Sequence, residues 1–308
     1  MITLPANHSE RMARARLSLE GLAIGDALGE MLAANAAAAR TRVEAGLHAG
    51  PWFHTDDTEM ALGIFEVLER RGRIDPDELA IRFAERFRHD PDRGYGSMAR
   101  IILRAILAGE NWQHASASAF SGTGSMGNGS AMRIPPLGAY FADDTDSTIR
   151  AEAILSAIVT HSHLEGKAGA VAVAIVSATA WRLRGQPKEE VAQQIFRAAL
   201  EITPEGQTRK GISRAAELSF LTPAQVAARV LGNGSAVTAP DTVPYVIWSA
   251  AKHLDNYRDA IIETAIGDGD VDTNCAMVGG IVALYVGLES IPGEWRQARE
   301  RFDFERER

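Results

Sequence analysis

With 308 residues, 46% hydrophobic and 23% charged, the chain is long enough for one large domain or two and apolar enough to bury a core. Its formal net charge of −8 argues against a nucleic-acid-binding surface as its main business, and its single cysteine excludes an internal disulfide and a cysteine-based zinc site. The longest apolar runs, 168–181 and 275–288, are too short to span a bilayer and suit buried helices.

The chain opens on His8, Glu10, Arg11, Arg14 and Arg16 with no apolar stretch of the signal-peptide kind, which predicts a cytoplasmic protein. Next comes Gly21-Leu22-Ala23-Ile24-Gly25-Asp26-Ala27-Leu28-Gly29-Glu30. Small residues every four positions put a smooth stripe on one helix face, which serves close helix packing. Asp26 and Glu30 also lie four apart and share a face, which packing alone does not ask for. The alanine-rich run 33–39 favours helix. Thr55-Asp56-Asp57-Thr58-Glu59 then precedes a helix predicted over 60–68, where Met60, Ile64, Phe65, Val67 and Leu68 recur at helical spacing. Leu79, Phe83 and Phe87 mark another.

Residues 121–133, SGTGSMGNGSAMR, contain the string G-x-G-x-x-G at Gly122, Gly124 and Gly127. A dinucleotide-binding turn needs a buried strand before it and a full helix after it. Residues 109–118 are polar and small, and Pro135 and Pro136 stop a following helix after about two turns. What remains is either a flexible connection or a run of small residues whose amides cradle an anion such as phosphate. Further on, 168–180 and 224–228 read as helix; only a few short stretches, such as 243–247, read as strand, and Pro244 spoils that one. Asp268-Gly269-Asp270-Val271-Asp272-Thr273-Asn274 precedes a helix predicted over 275–288, in which Cys275 reads as a small buried hydrophobe. The terminal stretch 296–308 alternates charge and reads as a solvated helix. No linker and no repeat divides the chain, so one all-α domain over 1–308 is the economical organisation.

The two acidic clusters carry the chemistry. Helix capping explains one acid per helix, with Asp56 and Glu59 spaced as a capping box. It does not explain Asp57 beside Asp56, or Asp270 and Asp272 at the mouth of one apolar helix. Crowded carboxylates repel unless a cation sits among them, and an all-oxygen donor set suits magnesium or manganese. As two matching clusters that each contain a threonine, they read better as metal binding than as capping.

Taken in order, Gly-Leu-Ala-Ile-Gly-Asp-Ala-Leu-Gly, Thr-Asp-Asp-Thr, Gly-Asn-Gly-Ser-Ala-Met-Arg, Thr160-His161 and Asp-Val-Asp-Thr-Asn resemble the ADP-ribosylglycohydrolase family, over about residues 15–295. The stretch from Gly232 to Pro244 also resembles a family segment near the adenosine end. The resemblance implies an all-α orthogonal multi-helix bundle around two divalent cations, Mg2+ or Mn2+. It implies Thr55, Asp56, Asp57, Asp270, Asp272 and Thr273 as metal ligands. It assigns Ser125, Gly127, Asn128, Gly129 and Ser130 to the diphosphate and neighbouring ribose, with His161 lining the cleft and Asp92 and Tyr95 near the acceptor. The implied reaction is attack of water at the anomeric carbon through an oxocarbenium-like transition state, with Glu30, Asp57 and Asp270 as the catalytic acids and Glu30 handling the proton. The implied partners are an ADP-ribosylated protein or a small ADP-ribose conjugate, with no membrane and no nucleic acid, and the protein is expected to be a monomer.

Three departures bear on this. Glu30 follows Gly29 at once, where relatives carry a glutamate some residues further on; Val271 replaces a middle threonine without loss of a ligand; and Asp268 adds an acid. Two rivals predict different products. A non-catalytic ADP-ribose binder or transferase-neutralising protein would release nothing, and a two-metal phosphoesterase, which usually brings histidines into its clusters, would release AMP.

Overall fold

The structure, a computed structural model, describes residues 4–306, and among them there is no β-strand, only two isolated bridges. The helices of the first part are α1 His8–Ala33, α2 Ala39–Glu44, α3 Asp56–Arg71, α4 Pro76–His89, α5 Ser97–Leu107 and α6 Trp112–Gly122. They are followed by α7 Gly129–Met132, α8 Pro135–Tyr140, α9 Asp146–Ile158, α10 Leu164–Arg182, α11 Lys188–Ile202 and α12 Gln207–Glu217. Last come α13 Ala224–Leu231, α14 Ala239–Lys252, α15 Tyr257–Ile266, α16 Val271–Val286, α17 Gly293–Ala298 and α18 Asp303–Arg306. The all-α expectation therefore holds.

The pairing of α1 with α16 is the most extensive in the fold. It follows from the small-residue stripe: a Cβ on Gly21 would lie 2.4 Å from the Gly279 carbonyl oxygen, and one on Gly25 would lie 2.1 Å from that of Cys275. A Cβ on Gly29 would lie 2.7 Å from the Asp272 Cα, so contact runs to the N-terminal end of α16. The Ser18 hydroxyl donates to the Gly280 carbonyl at 2.9 Å and the Tyr257 hydroxyl to that of Gly21 at 2.5 Å, which fixes the register. Helix α10, apolar on nearly every side, packs against α7, α8, α9, α11, α14 and α16, as its long apolar run predicts. Cys275 is buried as expected, its thiol near the Ile261 carbonyl.

Several local readings change. The alanines of 33–39 do not extend one helix: α1 stops at Ala33, Asn35 adopts φ −153°, and a short 3-10 turn at Ala36–Ala38 redirects the chain into α2. Pro135 and Pro136 begin α8 in its first turn, where their missing donors cost nothing. Val243 to Ile247 lie inside α14, which tolerates Pro244 near its start; Gly211 leaves room for that ring. Asp56, Asp57 and Glu59 fall inside the first turn of α3 and Asp272 inside that of α16, with Thr55 and Asp270 at the N-caps. The tail is not a solvated helix. α17 ends at Ala298, Arg299 pairs with Trp52 in a parallel bridge, and Phe302 is buried before α18 begins. Alternating charge in 299–305 serves ion pairs to the body of the protein, and residues 307–308 lie outside the described ones.

Candidate functional site

Where α1, α3 and α16 meet, carboxylate oxygens of Asp26, Asp57 and Asp272 lie within 4.8 Å of one another. Close approach of α1 and α16 puts Asp26 beside the first turn of α16, and α3 points its N-terminus at the same spot. Asp26, 0% exposed, accepts from the amide and hydroxyl of Thr55 (3.0 and 2.8 Å) and from those of Thr58 (3.1 and 2.6 Å). It thereby holds the start of α3 in place. Spacing alone had paired Asp26 with Glu30. The structure separates them: Asp26 is at the centre, and Glu30 is exposed at the end of the same face. An acid set among buried small and apolar residues was the signal for Asp26.

Capping does not account for these acids. Thr55, not Asp56, is the N-cap of α3, and Glu59 turns away to His54 (2.9 Å) and Arg86 (2.8 Å), so the capping box does not form. Asp270 is the N-cap of α16 but makes no side-chain cap hydrogen bond; its Oδ2 accepts from Asn128 Nδ2 at 2.6 Å.

The Asp57 carboxylate, 1% exposed, takes hydroxyls from Thr55 (3.0 Å) and Thr273 (3.3 Å) on Oδ2, while its buried Oδ1 has no hydrogen-bond partner. Thr55 has one hydroxyl hydrogen and carboxylate oxygens of Asp26 and Asp57 both within reach. Burial, then the charges of Asp26 and Asp272, push the Asp56 and Asp57 carboxyls well above the usual range. Burial and Asp272 raise Asp270 to about 7, and burial raises Asp26 to about 6. Such a cluster is costly without a counter-charge, and a buried orphan oxygen in an all-oxygen donor set fits a hard divalent cation.

A cavity of about 680 Å³ opens onto this cluster. Asp56, Asp270, Asp272 and Thr273 line it; Thr55 and Asp57 are buried and are not part of its wall. The glycine loop forms another part of the wall. It is pinned by Ala239, whose amide donates to the Met126 carbonyl (2.9 Å), and by the Asn128 amide, which donates to Val237 (3.3 Å). Among the described residues, the Ser125 and Met126 amides make no hydrogen bond. The helix α6 ahead of the loop, rather than a strand, removes the dinucleotide-turn reading. The Ser130 hydroxyl donates to the Gly166 carbonyl and is buried behind the loop.

His161 lines the cavity with Nδ1 2.7 Å from the Thr160 hydroxyl. Burial and the Arg133 charge lower it to about 3, so it is neutral at physiological pH. Its ring sits so close to the loop that a Cβ on Gly127 would lie 3.1 Å from Nε2 and one on Gly129 3.1 Å from Cε1. On the acceptor side expected from sequence, Gly94 and Gly96 reach the cavity, but Asp92 is exposed and outside its wall. The Tyr95 ring is buried edge-on to Phe87 at 5.0 Å, its hydroxyl unpartnered. Several lining residues escaped the sequence reading, two of them on strained backbone. Phe120 (φ +51°, 54% exposed) and Val237 (φ +52°, 55% exposed) hold apolar side chains in the cavity on left-handed backbone.

A family model described as ADP-ribosylglycohydrolase matches residues 7–307. ADP-ribosylhydrolase ARH3 of Mus musculus is 29% identical over 282 residues, covering 82% of this chain and 74% of the relative. ADP-ribosylarginine hydrolase Tri1 of Pseudomonas putida (strain GB-1) is 27% identical over 295 residues, covering 93% and 74%. The solved structure of an ADP-ribosylglycohydrolase-related protein complex superposes with a TM-score of 0.65 at 26% identity, covering 95% of this chain and 94% of that one.

Proposed function

The chain belongs to the ADP-ribosylglycohydrolase family, and from that premise we propose that it is a hydrolase that frees ADP-ribose from its acceptor at the acidic cavity, using divalent cations. The observation that carries the reading is the buried, unpartnered Asp57 Oδ1 within the Asp26–Asp57–Asp272 group, next to a cavity walled by the glycine loop. Two cations, Mg2+ or Mn2+, would be held by Thr55, Asp56, Asp57, Asp270, Asp272 and Thr273, with Asp26 fixing Thr55. When bound, a divalent cation supplies positive charge that orients the ribose hydroxyls, acidifies water and offsets the carboxylates' mutual repulsion.

The chain's own residues supply the rest. The free amides of Ser125 and Met126 and the glycines at 127 and 129 let the diphosphate approach the backbone. Asn128 ties that loop to Asp270, so binding of the diphosphate and placement of the acids are linked. Phe120 offers an exposed ring for the adenine to stack on. Neutral His161 presents no charge to the diphosphate and supports the loop from behind. Glu30, exposed and outside the cavity wall, with its carboxyl raised by partial burial and by Asp272, would exchange a proton with water while the buried carboxylates stay fixed.

The reading includes a single domain acting as a monomer, without nucleic acid or membrane partner, in the cytoplasm. No helix among the described residues is long and apolar enough to cross a membrane. A non-catalytic binder is not favoured, because the relatives are hydrolases and Asp26, Asp57 and Asp272 cluster closely enough to hold a metal ion. The test is a panel of conjugates linked through arginine, serine, an acetyl ester and a nucleobase, assayed with Mg2+ and with chelator. Free ADP-ribose released only with metal supports the reading, and AMP or no product overturns it.

A further inference from the structure

The metal loop is built from residues with little local structure of their own. Between the cis peptide at Gly50 and the start of α3, residues 51–55 make no helix, so long-range ties decide where Asp56 and Asp57 point. One tie is Asp26. The other comes from the far end of the chain, 207 residues beyond Arg93. There Glu300, 7% exposed, grips the Arg93 guanidinium with both oxygens, at 2.6 and 3.0 Å. Arg93 donates through Nη1 to the His54 carbonyl at 2.9 Å, and its own carbonyl accepts from the Asp56 amide at 2.6 Å. Glu300 also lies 3.3 Å from His54 Nδ1 and donates its amide to the Trp52 carbonyl at 2.9 Å.

We infer that Glu300 is a positioning residue for the metal loop, and that the tail segment around it works as a strap setting the metal affinity. The Asp56 amide is one of the orphan donors at the start of α3, and Arg93 satisfies it in place of a side-chain cap. A bidentate arginine–carboxylate pair allows one geometry, so Glu300 fixes both the acceptor for that amide and the carbonyl two residues earlier. Gly94 and Gly96, next to Arg93, line the cavity, so the same grip sets that wall. The strap is itself anchored: Arg299 reaches Glu20 at 2.6 Å, Phe304 stacks on Phe65 at 5.7 Å, and Phe302 is buried. Glu300 acts on the candidate metal ligands through Arg93, His54 and the loop backbone.

The inference rests on the reading that Asp56, Asp57 and their neighbours hold a cation. Its test is calorimetric titration of Mg2+ alone into the purified full chain, with the melting temperature recorded for each variant. Glu300→Gln keeps the side-chain shape and loses the charged fork. It should weaken Mg2+ binding five- to twentyfold, raise the Mg2+ concentration for half-maximal ADP-ribose release by a similar factor, and leave kcat at saturating Mg2+ within about twofold. Glu300→Asp should recover part of the affinity. Trp248→Phe in α14, which removes a hydrogen bond to the Leu218 carbonyl just after α12, should lower the melting temperature without moving the Mg2+ affinity. If Glu300→Gln does not fold, Arg93→Lys keeps the charge, loses the fork and should show the same weakening. Wild-type Mg2+ affinity in either variant, or a loss shared by Trp248→Phe, overturns the positioning role. A wild-type protein that binds no Mg2+ overturns the metal reading, and this inference falls with it.

Discussion

Replacing Asp270 by asparagine separates a metal ligand from a helix cap by the sign of its effect on stability. Losing an N-cap side chain costs about 0.5–2 kcal/mol. Asp270 makes no cap hydrogen bond, and an asparagine carbonyl can still accept from Asn128, so that cost does not arise. Burial and Asp272 raise its carboxyl from 3.8 to about 7, which opposes charging it by about 4 kcal/mol once the pH exceeds both values. Water in the cavity screens the partly exposed side chain, which leaves about 1–2 kcal/mol. In chelator at pH 8, Asp270→Asn should therefore melt about 2–4 °C higher than the wild type. With Mg2+ the order should reverse, since the wild type gains metal-linked stability and the variant gains little. ADP-ribose release should be nearly abolished. The measurements are paired melting curves with and without Mg2+ and an ADP-ribose release assay. A variant that melts lower in chelator, keeps its Mg2+ shift and hydrolyses normally would refute the metal assignment.

Gly25→Ala puts a Cβ 2.1 Å from the Cys275 carbonyl oxygen, where only backbone could yield, and should cost about 3 kcal/mol, seen as a melting temperature lower by 5 °C or more. Asn128→Ala removes the donor to Asp270 and Thr242, so calorimetry should show weaker binding of both Mg2+ and ADP-ribose; loss of ADP-ribose affinity alone would mean the link to the acids does not matter. Glu30→Gln should bind Mg2+ normally while kcat falls about 10²–10⁴-fold, and an unchanged kcat would remove Glu30 from proton transfer. Folded-state values of about 6 for Asp26 and about 7 for Asp270, against an ordinary 3.8, mean that the native metal-free protein binds more protons than the unfolded chain in between. That stability is fully present below 3.8 and lost as pH rises through 6 to 7, so the melting temperature in chelator should fall from pH 5 to 7.5 while the Mg2+-induced shift grows; a flat or rising curve would contradict it.

Sequence alone determined the helical class, the smooth face of α1, the two acid-bearing helix starts and the small-residue character of the glycine loop. These are legible because helix periodicity and residue chemistry are local: Gly21, Gly25 and Gly29 share a face in any helix, and Asp56 and Asp57 stay adjacent wherever the chain goes. Tertiary structure alone decided which faces meet. It set Asp26 rather than Glu30 at the centre, because the glycine stripe draws α16 onto α1 beside Asp26 and leaves Glu30, in the last turn of α1, exposed. It buried the Tyr95 ring against Phe87 and turned Phe120 into the cavity. It also made a strap of the tail, whose alternating charges look solvated in sequence. Their partners at Arg93, Glu20 and Arg86 lie hundreds of residues away, and no local pattern encodes a contact whose geometry is fixed only when the helices pack.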